Sequence, residues 1–158
     1  MQPTRLVARG SAAVIKPGAV ITIAVDTTYV ASQQGRAIRQ GIYMIDTGGS
    51  RGSTGEGGME LSAVVPVGAA VGFNAVPIDA VSGGKVVING FNFAAGNVFA
   101  PDSYPQPSQL GNEPPGSWWI GRTINAGVQN YQIQIAATAG VIRPVTYYVN
   151  WDCFISAQ

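Results

Sequence analysis

The sequence lacks histidine altogether, and only 11% of its residues carry a charge. The absence of histidine excludes the catalytic Ser-His-Asp and Cys-His arrangements and the usual zinc sites. The net charge of +1 gives no electrostatic reason to expect binding to nucleic acid or to a membrane surface. We therefore expect a protein that is not an enzyme, has no nucleic-acid partner and requires no cofactor.

Cysteine and long apolar runs are also scarce, and Asn-x-Ser/Thr sequons are missing. Cys153 is the single cysteine, so an internal disulfide framework is excluded. No stretch reaches the roughly 20 apolar residues of a membrane span. Lys16 and Pro17 interrupt the early apolar residues, so no signal peptide is evident. We predict a cytoplasmic protein without a membrane span.

Acidic residues form no recognisable catalytic or metal-binding motif. The 8 carboxylates are dispersed along the chain, and no pair has a spacing that defines a general acid–base couple. The glycine-rich segment 48–58 lacks the Gly-Lys-Ser/Thr ending of a phosphate-binding loop, so we interpret it as a flexible connection between strands. No EF-hand pattern is present, yet calcium held by Asp and Asn from several loops stays open, without a motif to support it.

The sequence does contain a series of strand-length segments separated by turns. Its 21 glycines and 10 prolines favour many turns over long helices. In the clearest segments apolar residues alternate with polar ones, as in strands with one buried face. We predict an antiparallel β-sandwich of about eight strands, jelly-roll or immunoglobulin-like, with little helix. The predicted strands are residues 20–25, 42–46, 59–65, 71–76, 85–93, 118–124, 130–137 and 145–155.

Alternation also assigns individual side chains to the core. In the last predicted strand, Trp151 and Cys153 fall on the apolar face, so we interpret Cys153 as a small buried hydrophobe rather than a nucleophile. In the segment 118–124, the same argument assigns Trp118 to the core beside Ile120 and leaves Trp119 to find another partner.

Two segments are predicted to be something other than strand. The one plausible helix is short, over residues 32–40, and Gly35 weakens it. Residues 100–116 contain five of the prolines and are predicted to form an extended loop.

Four segments, taken in order, resemble a bacterial family. VITIAVDTTYV (20–30) is similar to its opening strand, and GEGGMELSAVVPVGAAVGF (55–73) to its glycine-led strand and turn. GVQNYQIQIA (127–136) and TYYVNWDCFI (146–155) resemble its closing strands, which end near a Trp-Asp pair. The family is that of the AidA/PixA inclusion body proteins, and the resemblance covers about residues 20–157. Cys153 replaces the family's usual proline, and Ala69 replaces a charged turn residue.

The resemblance implies a function as well as a fold. It implies a non-enzymatic bacterial protein of intracellular inclusions, linked to quorum-sensing-dependent expression and host association, with no catalytic residues to transfer. It also implies that residues 1–19 are an N-terminal extension and residues 20–158 a single domain. We expect self-association into a homo-oligomer, with contacts from sheet edges and apolar loop residues such as Phe99 and Leu110.

The alternative function is a carbohydrate-binding, lectin-like module, with or without calcium. β-Sandwiches often bind sugars at loop ends, where an aromatic ring stacks on the sugar and Asn or Asp binds its hydroxyls. Each loop aromatic has a competing interpretation, in which it covers the core instead of binding a ligand. A phage, fimbrial or coat-type protein is a third option for the function. The candidate ligand-binding residues are Trp119, Tyr104, Asp102, Asn112 and Asn125.

Overall fold

The structure, a computed structural model, describes residues 17–34, 36–79, 83–94, 96–108 and 114–158. These residues form nine strands, one short α-helix and one 3-10 turn. Most of the predicted N-terminal extension, residues 1–16, lies outside the described residues. In chain order the elements are β1 (Ala19–Val25), α1 (Thr27–Ser32), β2 (Ile42–Asp46), the 3-10 turn (Gly49–Arg51), β3 (Ser62–Val65), β4 (Ala70–Pro77), β5 (Lys85–Phe93), β6 (Gln106–Ser108), β7 (Trp118–Arg122), β8 (Gly127–Ala139) and β9 (Val145–Ala157).

The strands form two sheets that pack face to face, so the predicted β-sandwich is confirmed. One sheet has the order β2-β1-β4-β7-β6 and the other β3-β9-β8-β5. Most neighbours are antiparallel, as predicted, but β1 pairs with β4 and β3 pairs with β9 in parallel. Each sheet is therefore mixed. Parallel neighbours require a crossover, and here the chain between β1 and β4 visits the other sheet as β3 before it returns.

The core lies between the sheets and is built from alternate residues of the long strands. Ile21 and Ile23 of β1 are fully buried and belong to the same core as the inner residues of β8. On β8 the burial pattern alternates strictly from Gln129 to Ala137, as the sequence predicts. The predicted inner face of β9 is confirmed from Trp151 onward, whereas its first half is only half-buried or exposed.

A β-bulge in β5 changes the direction of its last side chains. The register of β5 with β8 shifts between Ile88 and Gly90, which leaves Asn89 as the extra residue. Because one inserted residue reverses the alternation, Phe91 and Phe93 face inward after the bulge. The Asn-Gly pair inside a strand pattern is a sequence signal for such a bulge.

The prediction of a helix over residues 32–40 is wrong. The helix α1 spans Thr27–Ser32, and the described residues that follow it, up to residue 40, are not helical. Asp26 is the N-cap, and its carboxylate accepts a hydrogen bond from Tyr29 N at 2.9 Å. This bond satisfies one of the free N–H groups at the helix start.

Asp79, which follows β4, holds the same helix start from the end of the neighbouring strand. Its carboxylate accepts hydrogen bonds from Thr27 N (3.3 Å), Thr27 Oγ1 (2.7 Å), Thr28 N (3.1 Å) and Thr28 Oγ1 (2.6 Å). Burial opposes ionisation of this carboxyl, but the four hydrogen bonds outweigh burial and lower the pKa of Asp79 to about 2. The ionised carboxylate therefore ties α1 to the end of β4.

The assignment of the two tryptophans is reversed in the structure. Trp119, not Trp118, packs against the core, and it lies opposite Phe73 in the β4–β7 pair. Trp118 lies on the outer face, where its ring covers Gly72. The inner face of β7 carries Gly121 because the chain at Pro105 crosses there, within 2.8 Å of where a Cβ would stand. The alternation of apolar residues assigns Ile120 to the inner face, because the approach of Pro105 to Gly121 is a tertiary contact that a local sequence pattern does not contain.

Replacing Asp79 with Asn should lower the free energy of unfolding at pH 7 by about 1–2 kcal/mol, because a neutral amide accepts weaker hydrogen bonds. The folded-state pKa lies below the ordinary value of 3.8, so the contribution of Asp79 is present above that value. It is lost as the pH falls toward 2. Urea unfolding of both proteins from pH 7 to pH 2 measures the difference.

The control for this experiment is Asp102→Asn, which neutralises an exposed carboxylate. This variant should change the stability at pH 7 much less than Asp79→Asn does. Equal stability of Asp79→Asn and the wild type at pH 7 would contradict the role of Asp79.

Candidate functional site

Four aromatic rings line a groove where β5 and β7 meet at the open side of the sandwich. Phe91 lies between Trp119 and Phe93, with ring centroids 5.5 Å and 5.8 Å away, and Phe93 stacks on Tyr104 at 4.6 Å. The groove encloses about 370 Å³ and is completed by Gly90, Asn92, Pro105 and Gln106. We call it the aromatic groove.

Two local features build the aromatic groove. The bulge at Asn89 turns Phe91 and Phe93 inward, and the short β6 pairs with β7 so that Pro107 lies opposite Trp119. The Trp119 Nε1 atom is buried and has no hydrogen-bond partner among the described residues. A half-buried aromatic surface that adjoins the polar residues Asn92 and Gln106 suits a ligand with both apolar and hydrogen-bonding faces.

The predicted ligand-binding residues are only partly brought together. Trp119 and Tyr104 both line the aromatic groove. Asp102 lies instead in a separate recess of about 180 Å³, which it shares with Arg122 and the other side of Tyr104. Asn125 lines neither of these two sites, and its Nδ2 donates a hydrogen bond to Asn97 O at 2.8 Å. Asn112 lies outside the described residues.

A larger cleft of about 700 Å³ lies beside β9, and we call it the β9 cleft. It lies between the segment after α1, the glycine-rich loop before β3, and the middle of β9. Its apolar part is formed by Ala37, Ile38, Met59 and Trp151, and its charged residues are Arg39, Glu60 and Asp152. Sequence reasoning did not predict this cleft, although the Trp151-Asp152 motif of the family resemblance forms one of its walls.

The groups beneath the β9 cleft are buried and unreactive. Trp151 Nε1 donates to Met44 Sδ at 3.3 Å, and Cys153 Sγ lies 3.5 Å from the same sulfur. Burial is the main cause that raises the pKa of Cys153 to about 12, so the residue is a neutral thiol at physiological pH. Burial likewise raises the pKa of Tyr131. The interpretation of Cys153 as a buried hydrophobe is confirmed.

One carboxylate pair, Asp46 and Glu56, is assembled by the fold and was missed from the sequence. Asp46 accepts from Gly48 N (3.1 Å) and Ser53 Oγ (2.7 Å), while Glu56 accepts from Asp46 N (3.1 Å). The hydrogen bond that a protonated Glu56 makes with the Asp46 carboxylate, together with burial, raises the pKa of Glu56. The pair lines neither the aromatic groove nor the β9 cleft, and it holds the glycine-rich loop in place.

Over residues 19–140 the sequence matches the protein family described as "Domain of unknown function (DUF8788)". The chain belongs to this family. Its fold is similar to that of the inclusion body protein PixA from Burkholderia cenocepacia, with a TM-score of 0.70 and 19% sequence identity, covering 89% of this chain and 94% of that chain. No curated protein matches the sequence. The resemblance to inclusion body proteins of the AidA/PixA type is confirmed at the level of the fold.

Two further features of this DUF8788-family chain concern the described residues alone. No helix among them is both long and apolar enough to span a membrane. They also contain no group of three or more His, Cys, Asp or Glu side chains arranged to hold a metal ion.

Cys153 should fail to react with a thiol reagent in the folded protein, because it is buried and its pKa lies near 12. Raising the pH from 7 to 9 should therefore add little reaction in native buffer. The same reagent should modify the one thiol completely in guanidinium chloride, which serves as the control. Rapid stoichiometric modification of the native protein would contradict the burial of Cys153.

Proposed function

We propose that this protein is a non-enzymatic, inclusion-type protein that self-associates. The observation that carries the proposal is the fold shared with the PixA inclusion body protein over 89% of the chain. The low charge supports it, because a chain with 11% charged residues and a net charge of +1 offers little electrostatic resistance to close contact.

The apolar contacts for self-association differ from those expected from the sequence. Phe99 is only 2% exposed, so the prediction that it contributes to contacts between copies is wrong. It packs against Phe93 inside the fold. Leu110 lies outside the described residues. Exposed aliphatic side chains occur instead at the end of the β8–β9 hairpin, where Val141, Ile142 and Val145 face solvent.

The AidA/PixA resemblance also supports a proposal about where the protein is found in the cell and when it is expressed. The protein is a cytoplasmic component of inclusions, its expression depends on quorum sensing, and it takes part in host association. Its partner in the inclusion is a further copy of the same chain, and assembly requires no cofactor.

The weight-average mass of the purified protein should rise with concentration, because weak apolar contacts between copies are populated by mass action. Sedimentation velocity and light scattering over a dilution series up to the solubility limit measure it. Dilution should reverse the increase, which separates assembly from irreversible aggregation. A strict monomer over the whole series would refute the proposal.

The second candidate function is carbohydrate binding, and the aromatic groove favours it. Trp119 and Tyr104 line one groove, and the polar residues Asn92 and Gln106 complete its lining. Aromatic faces stack on the apolar faces of sugar rings, while amides bind ring hydroxyls. The ligand would therefore be a neutral saccharide.

Tyr104→Ala should weaken saccharide binding several-fold, because it removes one stacking face of the aromatic groove. A glycan array, run with and without calcium, identifies the saccharide, and calorimetry measures the affinity of the variants. Tyr148→Ala is the matched control, since Tyr148 is an exposed tyrosine on the outer face of the other sheet. An array without hits in either condition would remove this candidate.

A further inference from the structure

The β8–β9 hairpin ends in a turn, residues 140–144, that exposes two adjacent aliphatic side chains. Val141 is 75% exposed and Ile142 is 93% exposed, and the exposed Arg143 follows them. The last pair of the hairpin joins Ala139 to Val145, so these side chains stand at its end. We call this turn the hairpin tip. Side chains of this type at this exposure indicate a contact surface.

The β9 cleft has the chemistry to receive the hairpin tip. Ile38, Met59 and Trp151 provide an apolar surface for Val141 and Ile142. Glu60 and Asp152 outnumber the single cation of the cleft, Arg39, so the cleft carries a net negative charge. Arg143 of the hairpin tip carries the complementary positive charge, which would fix the orientation of the contact.

An open strand edge adjoins the same cleft. The strand β3 pairs with β9 only from Ser62 opposite Phe154 onward. Upstream of Phe154, no described strand pairs with this edge of β9. Unpaired backbone N–H and C=O groups on such an edge readily bind an incoming chain segment.

A hairpin tip cannot reach the β9 cleft of its own chain. Both lie along β9, and a strand rises roughly 3.3 Å per residue, so Val145 and Asp152 are about 23 Å apart. The extended strand between them is held straight by its continuous pairing with β8. A hairpin tip that occupies the β9 cleft must therefore come from a second copy of the chain.

We propose that the hairpin tip of one copy inserts into the β9 cleft of the next. Val141 and Ile142 contact the apolar surface of the cleft, and Arg143 pairs with Glu60 or Asp152. The two contacting surfaces differ, so each added copy leaves one free tip and one free cleft. Repetition of the contact builds an extended array. The inference rests on the proposed self-association of the protein.

The first test compares the assembly of tip variants with that of the wild type. Val141→Ser combined with Ile142→Ser should raise the concentration needed for assembly by about tenfold or more, because each buried aliphatic side chain contributes to affinity. Ile45→Ser combined with Ile78→Ser is the control, since these two isoleucines are also exposed, 53% and 54%, at other places in the fold. The control should assemble like the wild type, and circular dichroism verifies folding of all variants.

The second test uses the difference between the two contact surfaces. Glu60→Lys combined with Asp152→Lys makes the cleft positive and should prevent assembly of that variant alone. The tip variant still has a working cleft, and the cleft variant still has a working tip. A mixture of the two should therefore stop at 1:1 dimers in sedimentation velocity.

A charge exchange tests the pairing of Arg143 directly. Arg143→Glu alone should assemble poorly, because its negative tip meets a negative cleft. Mixed with the lysine variant of the cleft, it should recover extended assembly, since both alternating junctions then join opposite charges. Mixed with wild type instead, Arg143→Glu should shorten the wild-type assemblies, because its intact cleft accepts a wild-type tip while its own negative tip meets a negative cleft and ends the array.

The outcomes separate this inference from the proposed function. If the wild type and the tip variant assemble equally well, the tip-in-cleft contact is overturned and the proposed self-association is retained. A wild type that is monomeric at every concentration overturns both. Tip-dependent binding to anionic lipid vesicles, with assembly unaffected by the tip variant, assigns the tip to a membrane surface and also overturns the inference.

Discussion

The register of the β8–β9 hairpin is the constraint on which the rest of the structure depends. Thirteen consecutive pairs, from Gly127 opposite Ala157 to Ala139 opposite Val145, hold the two strands together. A slip of β8 by one residue would turn Gln132 and Gln134 toward the core in place of Tyr131 and Ile133. The same register places Cys153 beside Met44 and sets the distance between the hairpin tip and the β9 cleft.

Both clefts arise where the regular pairing of strands is interrupted. The aromatic groove exists because the bulge at Asn89 turns Phe91 and Phe93 toward the open side of the sandwich. The β9 cleft exists because β3 is short and leaves the first half of β9 without a neighbour on that edge. Regular pairing supplies the rigid frame, and its interruptions supply concave surfaces with exposed polar groups.

The fold alone does not decide between the two candidate functions. Sandwich folds carry many unrelated functions, so the similarity to PixA argues for an inclusion-type role only together with surface features of this chain. Low charge and an exposed aliphatic hairpin tip favour self-association, whereas the aromatic groove favours a neutral saccharide. The two functions use different surfaces, so one chain can combine them.

The sequence by itself determined the strands other than β6, the inner face of β8, the inner face of β9 from Trp151 onward, and the burial of Cys153, because side-chain alternation is a local property of a strand. Only the tertiary structure decided the features that depend on contacts distant in sequence. Asp79 holds the helix start at Thr27, 52 residues earlier. Pro105 lies against Gly121, and the register of β7 with β4 turns Trp119 inward opposite Phe73 and Trp118 outward. The parallel pairings and both clefts likewise follow from how the strands are arranged in space, which no local pattern encodes.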